Sequence, residues 1–277
     1  MLSSINIGGR LINLSEPRVM GILNVTPDSF YKGSRRNHEQ EILNSARQML
    51  EEGATFLDVG GYSSRPGADH IPEIEEIKRI KTPIELLKSE FPEAILSIDT
   101  FRTGVAEVAV KSGASMVNDI SGGHLDNKMY DFIADSKVPY IAMHMKGTPQ
   151  TMKELSNYQD MLKEITYYFS EILEKLTGKG VSDVILDPGF GFAKNIQQNF
   201  ELLRSLDYLR ILEHPLLAGL SRKSMIYKTL KNSPGEALNG TTVLNTLALQ
   251  KGVSILRVHD VKPAVEAITL LKKTAII

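Results

Sequence analysis

Eight short, nearly uninterrupted apolar runs, each followed by a stretch of helical period, constrain this chain more than any other feature. They are VMGILNV (19–25), TFLDVGG (55–61), AILSIDT (94–100), SMVNDIS (115–121), PYIAMHM (139–145), DVILDPG (183–189), LLAGLS (216–221) and ILRVHD (255–260). A strand that is apolar on both sides must be covered on both sides, as happens when a parallel sheet is wrapped by helices. The stretches between, such as EQEILNSARQMLEEG and MLKEITYYFSEILEKL, repeat apolar residues three and four apart, and several close on Gly. That is the pattern of amphipathic helices. Eight β-α units in succession predict an α/β fold closed into a (β/α)8 TIM barrel.

The flanking segments fit the same plan. INIGGRLINL predicts an N-terminal β-hairpin turning at Gly8-Gly9, placed to plug or flank the barrel bottom. Residues 226–252 are expected to hold two helices broken at Ser233-Pro234-Gly235. No linker-like stretch or shift in composition divides the runs, so residues 1–277 are expected to form a single domain.

Composition removes several function classes. A formal charge of −1 leaves no basic surplus for nucleic acid, and any anion site must be local. With no cysteine, disulfide frameworks, thiolate metal sites and cysteine nucleophiles are all excluded, while oxygen-ligated calcium or magnesium stays open. The start, MLSSINIGGRLINL, has no basic segment leading into a long apolar core, and no run approaches the roughly 18 apolar residues of a membrane span. A cytoplasmic protein without a membrane partner is expected.

Each predicted strand brings a polar group to its C-terminal end: Asn24, Asp58, Asp99, Asn118, His144, Asp187, Ser221 with Lys223, and Arg257 with His259. Singly, such residues serve equally well as helix caps or solvated loop positions. Eight on the one face of a barrel where active sites are built favour an enzyme. The charges are also sorted. Strands one to six carry acids, amides and one His; the last two carry Lys223, Arg257 and His259. Loops after the seventh and eighth strands often bind phosphate, and the Ser-Arg-Lys turn would add backbone N–H donors. The alternative is that these cations pair with local acids or sit in water. Alternation puts Arg257 and His259 on one side, whereas Arg222 diverges from Lys223. Asp99 and Asp187 lie among apolar residues and need donors that no neighbouring Lys supplies to both. With Asn118 they suit a heterocycle that has an amino-pyrimidinone edge. Asp119 points the other way and reads as structural.

GILNVTPDSF, DVGGYSSRPGA, SIDT, VNDISGG, ILDPGFGFAKN, GLSRKSMI and LRVHDV, in this order from about Val19 to Val261, resemble the dihydropteroate synthase family. One such motif is weak; the ordered set of seven is highly specific. The resemblance implies a barrel enzyme, usually a homodimer, that joins 6-hydroxymethyl-7,8-dihydropterin pyrophosphate to p-aminobenzoate in folate biosynthesis and is a sulfonamide target. It implies catalytic roles for Asp99, Asp187, Lys223 and Arg257. Asp99, Asn118 and Asp187 would hold the pterin, Lys223 would bridge the two substrates, and Arg257 with His259 would take the pyrophosphate. Phe30, Ser64, Arg65, Pro66, Phe192 and Ser221 would form the p-aminobenzoate pocket, with Ser64 also reaching the pterin pyrophosphate, and Asn24 would help to hold Mg²⁺. Related readings are the pterin domain of a corrinoid-linked methyltransferase and a pterin-binding module without turnover; the intact cation set at Lys223, Arg257 and His259 argues for a pyrophosphate-bearing substrate.

This chain departs from the family pattern at three positions. Its second loop has Tyr62 for an acid and Ser64 for a Thr, and its first has Lys32 for a carboxylate, leaving Asp28 as the nearby acid. Met143 reads either as packing or as a wall against the pterin face. The stretch DPGFGFAKN lacks the Lys-Ser/Thr ending of a phosphate loop and is read as shaping the turn after Asp187.

Overall fold

The computed structural model describes residues 4–26, 35–63 and 70–274. The hairpin forms first, as β1 (Ser4–Ile7) and β2 (Arg10–Asn13) paired antiparallel. Its turn needs positive φ at both central positions, supplied by Gly8 at +57° and Gly9 at +89°. The Asn6 side chain accepts from Gly9 N at 2.8 Å and fixes the turn.

The eight runs supply β3 (Arg18–Asn24), β4 (Phe56–Gly60), β5 (Ile95–Asp99), β6 (Met116–Asp119), β7 (Tyr140–Met143), β8 (Val184–Asp187), β9 (Leu217–Ala218) and β10 (Ile255–Val258). All neighbours are parallel, in the order β8-β7-β6-β5-β4-β3-β10-β9, and a parallel bridge from Leu186 to Leu216 joins the two ends. The sheet is therefore closed, as the patterning predicts. β9 is shorter than its run because Gly219 and the left-handed Arg222, with φ of 55°, turn the chain away.

Between the strands lie α1 (Arg35–Glu51), α2 (Glu73–Glu90), α3 (Thr103–Lys111), α4 (Met129–Ser136), α5 (Met161–Gly178), α6 (Ile196–Arg204), α7 (Ser224–Tyr227) and α8 (Leu238–Gln250), and α9 (Val261–Lys273) follows β10. The break expected in 226–252 falls at a 3₁₀ turn, Pro234–Glu236, where Ser233 and Glu236 cap each other. Asp160 caps α5, and Asn195 with Gln198 forms a capping box on α6. Among the described residues no helix is long and apolar enough to cross a membrane.

Strand alternation then separates two cores. Outward residues such as Leu57, Leu96, Val117, Leu186 and Leu256 pack on the helices. Inward, Met20, Phe56, Met116, Ile141, Ile185, Leu217 and Ile255 form a second cluster with Ile5, Ile7, Ile12 and Leu14 of the hairpin. The hairpin thus plugs the barrel floor. Because side chains two residues apart share a face, the next inward positions after Phe56, Met116, Ile185 and Ile255 are Asp58, Asn118, Asp187 and Arg257. An apolar floor passes to a polar mouth within one period.

If the plug carries stability, Ile5→Ala, which truncates a side chain only 1% exposed, should cost ~2–5 kcal/mol in chemical denaturation. Leu11→Ala on the same hairpin, 71% exposed, should change stability by less than about 0.5 kcal/mol. Equal effects would show that the hairpin merely rests on the barrel.

Candidate active site

At the mouth, Arg257 of β10 reaches across the barrel to two carboxylates. Its Nε donates to Asp58 Oδ2 at 2.5 Å and its Nη2 to Asp99 Oδ2 at 2.6 Å. Asp58 is fully buried and accepts a second bond, from Asn118 Nδ2 at 2.9 Å. The sequence expectation aimed Arg257 at an anion; in the structure it first compensates acids on β4 and β5, distant in sequence but adjacent in the barrel. Burial pushes the Asp99 carboxyl up to about 7, with Arg257 opposing and Asp58 adding to the rise. For Arg257, burial works against the charge, but the two carboxylates outweigh it and hold the guanidinium charged. Oδ1 of Asp58 and Oγ of Ser97, on registered neighbours of β4 and β5, have no partner among the described residues.

The other half of the mouth is built on β8 and the turn after β9. Asp187 Oδ1 accepts from Gly189 N at 2.8 Å. Burial raises this carboxyl, and Lys223 is the first of the groups that oppose the rise. Lys223 donates to the Phe190 carbonyl, and its ammonium lies 4.8 Å from the centre of the Phe192 ring. Burial lowers Lys223 to about 8 against the pull of Asp187. Lys223 and Asp187 flank Gly219, where a Cβ would lie 3.8 Å from one and 4.0 Å from the other. His259 Nδ1 lies 3.0 Å from Ser221 Oγ, which also accepts from His259 N at 3.2 Å, so Ser221 positions the histidine.

One sequence expectation needs correcting here. The Ser-Arg-Lys turn does not offer its N–H groups freely: Arg222 N donates to Thr241 Oγ1 at 3.1 Å and Lys223 N to Leu220 O at 3.2 Å. α7 is a single turn, so the side chains carry the positive charge. Arg222 does diverge, in a two-pronged pair with Asp260 at 2.9 and 2.6 Å. Asp119 is structural in its contacts, accepting from Ser121 N and Oγ, Gly123 N and Tyr140 Oη at 2.7–2.9 Å.

Asn24 at the end of β3 completes the mouth. Gly60 leaves room between its Oδ1 and Asp99 Oδ2, at 3.4 and 3.9 Å from where a Cβ would stand. Among the described residues no group of three or more acidic, His or Cys side chains could hold a metal. Mg²⁺ commonly takes only one or two protein oxygens and fills the rest of its shell with water and phosphate, so Asn24 and the space over Gly60 fit such an ion.

Phe30, Ser64, Arg65 and Pro66, with Asp28 and Lys32, lie outside the described residues. Tyr62, at the edge of the second loop, is buried: it accepts from Gln150 Nε2 at 2.8 Å and lies under the Arg102 guanidinium at 5.3 Å. Arg102 is in turn held by the buried Glu76 at 2.6 Å and donates to the Ile71 carbonyl at 2.8 Å. Sequence reasoning passed over this anchor, over Asp58 as the hub of the mouth, and over a buried Lys194–His144 contact of 3.0 Å. Glu76 lies in the charged run EIEEIKR and Lys194 in a glycine-rich loop, where charges ordinarily face water, so no local signal marked them.

Comparison with known proteins bears on this site directly. A family profile described as pterin binding enzyme matches residues 20–259. The chain therefore belongs to the pterin-binding enzymes, and among them to the dihydropteroate synthases. It is 40% identical over 268 residues to the dihydropteroate synthase of Escherichia coli (strain K12), covering 96% of this chain and 94% of that one. Crystal structures agree. The Yersinia pestis dihydropteroate synthase in a sulfonamide drug complex superposes with a TM-score of 0.92 at 38% identity, covering 98% of this chain and 99% of that one. The Xanthomonas albilineans enzyme with 4-aminobenzoic acid gives 0.92 at 37%, covering 99% of both.

The arrangement predicts unequal losses at two arginines. Arg257→Met strands the fully buried Asp58 and the largely enclosed Asp99 and should cost about 3–5 kcal/mol of stability. Arg222→Met breaks a partly exposed pair and should cost about 1 kcal/mol or less. Urea denaturation of both variants checks this; equal losses would mean that the mouth acids are compensated elsewhere.

Proposed function

We propose that the chain condenses 6-hydroxymethyl-7,8-dihydropterin pyrophosphate with p-aminobenzoate to 7,8-dihydropteroate and pyrophosphate, supplying folate biosynthesis, by a dissociative substitution. The observation that carries this reading is the make-up of the mouth: Asp58, Asp99 and Asn118 gather around Arg257 in one half, and Asp187 with Lys223, Ser221 and His259 in the other. The acids and the amide match the N–H-rich edge of a pterin. Loss of pyrophosphate leaves positive charge on the pterin methylene, and the same carboxylates stabilise it as it develops. Arg257 has five N–H donors, of which two serve Asp58 and Asp99. The remainder can meet the leaving pyrophosphate together with His259.

Lys223, over the Phe192 ring and beside Asp187, spans the two substrates. The Xanthomonas relative's complex with 4-aminobenzoic acid and the Yersinia relative's complex with a sulfonamide support p-aminobenzoate as the second substrate and sulfonamides as its competitors. Asn24 would hold Mg²⁺, which would neutralise charge on the pyrophosphate when bound. No protein nucleophile is required; the amine of p-aminobenzoate attacks the pterin methylene while the mouth excludes water.

Incubating the purified protein with both substrates and Mg²⁺ should release pyrophosphate and form 7,8-dihydropteroate, and excess chelator should abolish both. Release of pyrophosphate without formation of 7,8-dihydropteroate when both substrates are present, or no release at all, would overturn the reading. Full turnover in chelator would remove the metal from it.

The functional unit proposed is a homodimer. Leu238 and Leu270 flank a groove of about 480 Å³ between α8 and α9, and Val243 and Leu247 on α8 are also exposed. An apolar surface of this kind suits a second copy. Light scattering should give twice the chain mass, and Leu270→Glu should lower it. A monomeric wild type would rule out the dimer.

A further inference from the structure

Lys194 is 8% exposed and His144 2%, and neither takes part in the chemistry above. The Lys194 ammonium makes three contacts: His144 Nδ1 at 3.0 Å, Gly189 O at 3.1 Å and Phe192 O at 3.1 Å. An ammonium has three protons and no lone pair, so each proton has one acceptor and Nδ1 must carry the lone pair of a neutral imidazole. The carbonyls belong to the loop from Asp187 to Lys194. That loop presents three groups to the active site: the Asp187 carboxylate, the Phe190 carbonyl that receives Lys223, and the Phe192 ring beside the Lys223 ammonium.

The loop is pressed against β7 so closely that a Cβ on Gly189, at φ of +71°, would lie 2.1 Å from the His144 carbonyl oxygen. Its far end is tied as well, since Asn199 Nδ2 donates to Lys194 O at 3.1 Å and Gly191 N donates to Asn199 Oδ1 at 2.6 Å.

We propose that Lys194 is a positioning residue for the transfer reaction: its buried ammonium, clamped by His144 and by the Gly189 and Phe192 carbonyls, sets the loop that aims Asp187, the Phe190 carbonyl and Phe192 at Lys223 and the pterin. The proposal rests on the condensation reading above for the identity of the ligand, and on this cluster alone for the role of Lys194.

The clamp is proton-labile. Burial lowers Lys194 to about 7, with Asp187 opposing and Lys223 and Lys146 assisting. Burial, then Lys194 itself, keeps His144 well below its usual range and therefore neutral. The other titratable groups facing the pair are Tyr158, whose hydroxyl donates to Ala193 O at 2.9 Å, Tyr168, edge-on to His144 at 4.8 Å, and His124, stacked on Tyr168 at 4.8 Å. Burial raises both tyrosines, so they stay neutral through the working range. As pH rises through the Lys194 value, three donated bonds become two and the loop slackens.

The test compares the full-length wild type with Lys194→Met and His144→Phe, measuring kcat and KM for pterin pyrophosphate across neutral and alkaline pH, with calorimetric pterin pyrophosphate binding alongside. Lys194→Met should lose about 10²-fold in kcat/KM, the scale of a misplaced catalytic group. Its alkaline limb should move from near 7 to the value near 8 that belongs to Lys223. His144→Phe removes a neutral acceptor from the ammonium and should move the limb below 7. A folded Lys194→Met with wild-type kcat, KM, affinity and limb overturns the proposal. Should that variant fail to fold, an unmoved limb in His144→Phe overturns it. A wild type that binds pterin pyrophosphate but forms no 7,8-dihydropteroate with p-aminobenzoate sinks the condensation reading instead, and the role of Lys194 is then decided by whether Lys194→Met weakens that binding.

Discussion

The mouth of the barrel depends on one ion cluster, Arg257 held between Asp58 and Asp99. Two carboxylates in an enclosure with a fully buried member cannot both stay ionised without a cation, and a lone guanidinium there would be equally costly. The cluster resolves both problems and fixes β4, β5 and β10 at one level, with Asn118 of β6 joined through Asp58. Its residues lie one strand period above an apolar floor that the hairpin seals. Floor and mouth are therefore the same alternation read at successive positions, and closure of the sheet brings residue 257 to residues 58 and 99.

That geometry explains why the fold was more legible in the sequence than the site. The eight runs and the Gly8-Gly9 turn are local signals, and they located every barrel strand and the hairpin. The polar residues at the strand ends were legible as a set for the same reason. Their pairings were not. Arg257 and Asp58 are 199 residues apart, and which acid a mouth arginine meets depends on strand register around the barrel. Reasoning from near neighbours left Asp99 and Asp187 uncompensated, whereas Arg257 of β10 pairs with Asp99 and the charge of Lys223, on the turn after β9, opposes the rise at Asp187. Lys194 was hidden by a different physical cause, because a lysine in a glycine-rich loop normally points to water and nothing local announces that His144 will receive it.

Tyr62 stands where the family pattern has an acid, and its contacts are those of a phenol. An acid at that position offers charge to a nearby cation. The phenol offers its ring face to Arg102 and its hydroxyl to Gln150, while the buried Glu76 supplies the missing carboxylate. Both ends of the second loop meet this guanidinium, Tyr62 from one side and the Ile71 carbonyl from the other. Arg102, on the connection to α3, thus ties Tyr62 to the Ile71 carbonyl.

The charge balance of the mouth also bears on the order of events. Burial pushes the Asp99 carboxyl up to about 7, against the pull of Arg257, so a proton can stay on it near neutrality in the free site. In the proposed condensation, a pterin edge that donates N–H groups to Asp99 would favour its ionised form and expel that proton. The carboxylate then becomes fully charged at the moment a ligand is present whose methylene will turn positive. In the same proposed reaction Arg257, already charged and already oriented by Asp58 and Asp99, would not need to reorganise as the pyrophosphate departs, which is the condition under which electrostatic stabilisation is most effective.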